Sequence, residues 1–128
     1  MNRWVYYNPN PKEMQVGDCA VRACCKATYS TWNQVFADLV DIAYRRKDVL
    51  SANAVWGEYL RKNGFVRHEV ETYMTERSNV NDFCKTHPYG TYVLGLDGHV
   101  VTVEDGKYYD TWDSGERCPL YYWERLRE

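Results

Sequence analysis

The sequence predicts an α+β domain, with N-terminal helices packed on a C-terminal antiparallel β-sheet. Three observations predict it. Apolar residues recur at helical spacing from about Asp18 to Gly64. Beyond Thr91 the runs become rich in β-branched residues and aromatics. Between the last two of those runs stands Asp105-Gly106, a strong hairpin signal. A chain of 128 residues suits a single domain spanning 1–128.

The elements follow in order. Asn8-Pro9-Asn10-Pro11 reads as an extended lead-in. Asp18 is placed to cap a first helix, in which Val21, Cys24, Cys25 and Thr28 recur on one face. Ala20, Ala23 and Ala27 make that helix slim enough for a central position. Thr31 is placed to cap a second helix with the apolar stripe Trp32, Val35, Phe36, Leu39, Ile42 and Ala43. A third helix is expected from about Ser51 to Asn63, stopped by Gly64. A fourth is expected from Ser78 to about Thr86, ended by Pro88. Val66 to Tyr73 reads as a strand. Thr91 to Leu96, His99 to Glu104 and Lys107 to Trp112 form the sheet.

Composition excludes several functions. The formal charge is −2 and no basic run exceeds Arg45-Arg46-Lys47, so no nucleic-acid footprint is visible. Met1 to Pro11 has no apolar core of a leader peptide, and no run nears the roughly 18 apolar residues of a membrane span. The expectation is a cytoplasmic protein that meets neither nucleic acid nor membrane. Its 5 cysteines should then be free thiols. No CxxC pair or tight Cys/His spacing occurs, so no metal, no cofactor and no disulfide exchange are expected. The 12 Tyr and 5 Trp suggest a core and a cleft built from aromatics. The terminal rings Trp4, Tyr6, Tyr7, Tyr121, Tyr122 and Trp123 are expected to pack on the core rather than form a partner surface.

The chemistry concentrates around Gly17-Asp18-Cys19. A cysteine in the first turn of a helix meets unpaired backbone N–H groups and the positive end of the dipole. Both favour the thiolate, which is the attacking species. Cys24 and Cys25 fall deeper and read as core. Of the 3 histidines, His68 and His87 lie in polar or turn segments, whereas His99 begins an apolar strand. A two-residue turn at Asp105-Gly106 sets Val101 opposite Asp110 and His99 opposite Trp112. His99, Val101, Val103, Tyr108, Asp110 and Trp112 then share a face. His99 and Asp110 become diagonal neighbours within side-chain reach. A carboxylate there would fix the imidazole tautomer and leave the other nitrogen for sulfur. Asp113 falls on the opposite face and is the weaker choice. Trp112 could shield the pair from water. Gln15, ahead of Asn8 and Asn10, could join the Cys19 N–H in holding an oxyanion.

The order of a cysteine at a helix start, a histidine on a later strand and an Asp/Asn on the next resembles the papain-like cysteine peptidases. GDCAVRACCKAT with the following Trp32, and GTYVLGLDGHVVTVEDGKYYDTWDS, look like the short papain-like cores of bacterial and phage-associated proteins. The resemblance runs from about Asn8 to Trp112. It implies the papain-like fold, with Cys19 as nucleophile, His99 as base and Asp110 as third member. Gln15 stands nearer the cysteine than that family places its oxyanion glutamine, and the chain is shorter than the secreted enzymes. The implied activity is thiol hydrolysis of a peptide, isopeptide or amide bond in a peptide or protein substrate, with a partner protein able to complete the cleft. The alternatives are a transglutaminase-like acyl transferase and an inactive papain-like binding module.

Overall fold

The computed structural model describes residues 2–70 and 78–126. These residues form four helices and six strands. In chain order they are β1 (Trp4–Tyr6), α1 (Cys19–Thr28), α2 (Trp32–Arg46), α3 (Asn53–Lys62) and β2 (Phe65–Glu69). Then come α4 (Val80–Thr86), β3 (Thr91–Leu96), β4 (His99–Glu104), β5 (Lys107–Asp110) and β6 (Tyr121–Arg125). The class is α+β, as the residue periods predict.

All strands join one six-stranded sheet in the order β1-β5-β4-β3-β6-β2. The sheet is mixed. β1 runs parallel to β5, with Trp4 opposite Tyr108 and Tyr6 opposite Asp110. This corrects the purely antiparallel, C-terminal sheet. β1 and β2 come from before α4, and β6 inserts between β3 and β2. Such pairings join residues far apart in the chain, so no local pattern announces them.

β3 and most of β4 are buried. Their two faces serve separate cores. On one face Val93, Val100 and Trp123 meet α1, α2 and α3 through Val21, Cys24, Leu39, Val55 and Trp56. On the other, Leu94, Val101, Val103 and Tyr122 meet Val80 and Phe83 of α4. A strand covered on both sides has no polar face, hence its unbroken apolar run.

Local signals account for most boundaries. Thr31 caps α2, accepting from the Gln34 N–H. Asn79 and Asp82 form a reciprocal capping box on α4. Gly64, at φ +88°, follows α3 in a conformation that suits glycine. Asp105 and Gly106 both have positive φ, as a type I′ hairpin turn requires. α3 begins at Asn53 rather than Ser51, because Ala52 at its N-cap is still extended. Phe36 leaves the expected stripe of α2; it is exposed and stacks on Trp32 at 4.8 Å. The strand expected over Val66 to Tyr73 is β2, and residues 71–73 lie outside the described residues. No helix among the described residues is long and apolar enough to cross a membrane.

Candidate active site

Asp18 occupies the N-cap of α1, but its side chain makes no capping hydrogen bond. This corrects its expected role. The first intrahelical bond runs from the Arg22 N–H to the Asp18 carbonyl at 2.9 Å. The N–H groups of Cys19, Ala20 and Val21 therefore precede the ladder, and Cys19 sits at the positive end of α1.

β4 and β5 diverge next to this helix end. Their ladder runs from Glu104 opposite Lys107 to Thr102 opposite Tyr109 and stops there. The projected pairs Val101–Asp110 and His99–Trp112 are thus not backbone pairs. Their side chains meet nonetheless. His99 Nε2 is 2.7 Å from Asp110 Oδ2. The His99 and Trp112 rings lie 4.8 Å apart, tilted by 44°. The Val100 N–H, which a longer ladder would give to β5, is left to favour the Cys19 thiolate instead.

Asp110 is 1 % exposed and held on all sides. Its Oδ2 also accepts from Ser114 Oγ at 2.7 Å, and Oδ1 accepts from the Thr111 N–H at 2.8 Å. Its carbonyl accepts from Trp4 Nε1 at 3.1 Å and from the Tyr7 N–H at 2.9 Å. β1 therefore fixes the main chain that carries this carboxylate.

The charges follow from these contacts. Burial pushes the Cys19 thiol up, but hydrogen bonding to His99, the His99 charge, the Val100 N–H and the Arg22 charge outweigh it, and the thiol is lowered. Burial pulls His99 down, yet hydrogen bonds to Asp110 and Cys19 and their charges push it up to about 9. Burial raises Asp110, but His99 and Ser114 more than reverse this, and its carboxyl is lowered. With Nε2 committed to Asp110, Nδ1 is the ring nitrogen left for Cys19. The other thiols in α1 behave oppositely. Cys24 and Cys25 are core residues, and burial raises both, Cys25 to about 12.

Cys19 and His99 open onto a cleft of about 320 Å³. Gln15, Gly17, Gly98 and Trp112 also line it. Gln15 is exposed on this wall. A side chain at Gly17 would meet nothing within 4 Å, so the approach to Cys19 is open. Trp112 is 40 % exposed, so it covers the His99 ring only in part. Asp113 is turned away, its carboxylate taken by the Tyr108 hydroxyl and the Gly115 N–H. Neither His68 nor His87 reaches the cleft; His68 stacks on Tyr122 and His87 on Phe83. Among the described residues, no group of three or more His, Cys, Asp and Glu side chains is placed to hold a metal ion.

Sequence reasoning missed Arg22 and Ser114. Ser114 carries no local mark. Arg22 does: it is the one charge in the run Ala20 to Cys25. An ionised group among small apolar residues demands a partner.

Compared with protein-family models, with curated proteins and with solved structures, the chain matches none.

Proposed function

We propose that this chain is a thiol hydrolase with a papain-like catalytic core, cleaving a peptide, isopeptide or amide bond through Cys19, His99 and Asp110. One observation carries the reading. A histidine bound by a buried carboxylate at 2.7 Å shares a cleft with a cysteine at a helix N-terminus, and each favours the charged form of the other. A lowered thiol beside a raised imidazole is the charge state that such a nucleophile needs.

The steps balance. The Cys19 thiolate attacks the carbonyl carbon, and the developing oxyanion is held by the Cys19 N–H with the Gln15 amide as second donor. The C–N bond breaks, and His99 gives the Nδ1 proton to the leaving amine. A thioester remains on Cys19. Water then attacks it, His99 takes one water proton, and the C–S bond breaks. The acid leaves and the thiolate–imidazolium pair returns. Asp110 holds the imidazole in orientation throughout. The open cleft suits a peptide or protein substrate, and a partner protein could extend its low walls. Five unpaired thiols fit a reducing, cytoplasmic setting.

The test is the pH dependence of alkylation by iodoacetamide, mapped to each cysteine, in the wild type and in His99→Ala. Cys19 is expected to react well below the ordinary cysteine pKa of about 8.5, and to lose that reactivity without His99. Peptide and isopeptide panels then follow. A Cys19 no more reactive than Cys118 sinks the reading.

A further inference from the structure

Arg22 is 5 % exposed, in a helix whose neighbouring side chains are small and apolar. A guanidinium does not shed its charge, so burial demands compensation. Two carboxylates supply it. Nη1 donates to Asp18 Oδ1, and Nη2 donates to Asp110 Oδ1 at 3.2 Å. Asp18 Oδ2 accepts from Trp32 Nε1 at 2.9 Å. The second oxygen of Asp110 is the one that faces His99. A continuous row of charge therefore runs Asp18–Arg22–Asp110–His99, anchored at its far end by the Trp32 indole. Arg22 also lines the Cys19 cleft.

We propose that Arg22 is a positioning residue of this site, which clamps Oδ1 of Asp110 so that Oδ2 faces His99 and, with Asp18 as its counter-charge, sets the pH range over which Cys19 and His99 are ionised together. The inference rests on the reading of Cys19 as a nucleophile. Its signs are fixed by electrostatics. The Arg22 charge favours the Cys19 thiolate and competes with protonated His99 for Asp110. It lowers both titrations. Asp18 neutralises part of that charge and so opposes both effects.

The surrounding groups leave this row to itself. On α1, Lys26 is 3.3 Å from Glu104 of β4 and lies over the Tyr109 ring of β5. Cys25 of α1 is buried and keeps its proton. α2 contributes the uncharged Trp32 indole. The Tyr59 hydroxyl of α3 bonds Thr28 at the other end of α1. On β3, Thr91 binds Glu104, and Tyr92 belongs to the opposite core. After β5, Asp113 is held by Tyr108. After β1, Tyr7 gives its N–H to the Asp110 carbonyl, and burial raises its hydroxyl, which stays neutral.

The experiment follows the rate of iodoacetamide alkylation at Cys19 against pH in the full chain, and the His99 imidazole by NMR. Wild type is compared with Asp18→Asn, Arg22→Lys and Arg22→Gln, each checked for fold by circular dichroism. Arg22→Gln is expected to move both midpoints up, by about one pH unit. Asp18→Asn is expected to move both down. Arg22→Lys keeps the charge but not the fork, so its midpoints stay near wild type while its plateau rate falls. If Arg22→Gln does not fold, the downward shift in Asp18→Asn carries the test. Folded Arg22→Gln and Asp18→Asn with unmoved midpoints, beside a wild-type Cys19 that does react at low pH, overturn this inference alone. An ordinary wild-type midpoint overturns the nucleophile reading and this inference with it.

Discussion

Thr102 of β4 donates its hydroxyl to the Ala23 carbonyl of α1 at 2.7 Å, fully buried. This bond fixes the helix that starts at Cys19 against the strand that starts at His99. Cys19 and His99 belong to different elements, so their separation depends on that docking. Ala20, Ala23 and Ala27 keep the approach close, since each is buried.

Thr102→Val removes the hydroxyl at nearly constant shape. The expected loss of stability is about 1 kcal/mol, the usual net value of one buried hydrogen bond. The low-pH alkylation of Cys19 is expected to fall more than stability alone explains. Urea unfolding and the alkylation profile check the two parts. A variant with unchanged alkylation would show that packing alone sets the helix position.

The pH dependence has a definite sign. His99 in the folded chain sits at about 9, above the ordinary 6.5 of an unfolded histidine. Its stabilising contribution is therefore complete below about 6.5 and is lost as pH rises through about 9. Cys19 is lowered, so its contribution is present above its unfolded value and is lost as pH falls through the folded one. The two oppose each other, and the imidazole should be followed directly. By NMR its midpoint is expected near 9, falling by about one unit or more in Asp110→Asn. Midpoints near the ordinary value in both proteins would remove Asp110 from the site.

Two glycines should respond in opposite ways. A Cβ at Gly95 in β3 would lie 2.5 Å from the Tyr121 ring, against β6. Gly95→Ala forces that ring or the strand to move and should cost about 1–3 kcal/mol. Gly17→Ala meets nothing within 4 Å and should change stability by less than about 0.5 kcal/mol. Thermal unfolding of both decides it. Equal stabilities would mean that β6 does not press on β3 as described.

Much of this was legible in the residues because the signals are local. β3 and β4 match their expected bounds, and the Asp105-Gly106 turn fixed the face shared by His99 and Asp110. The Cys19 helix start was equally local. β1 and β6 were not legible. Tyr-Tyr-Trp at 121–123 has the right residues for a strand, but only the gap between β3 and β2 tells it where to go. Arg22, missed in the sequence, is marked there only as a charge in an apolar run, and its partners lie on a cap residue and on a strand 88 positions away. Such a link needs the assembled fold before it can be seen.

The place of β6 has a consequence during synthesis. The Cys19 helix is made before most of the sheet, and β2 is held in that sheet by β6, residues 121–125. Asp110 in turn is gripped through its backbone by Trp4 of β1, 106 positions earlier in the chain, and by Tyr7. The sheet thus closes only when early and late segments are both at hand, and contacts of such long sequence separation form slowly. A nascent chain would carry the thiol without His99 and Asp110 until the strands that hold them had emerged. On the proposed reading, reactivity follows the closing of the sheet rather than the forming of the Cys19 helix.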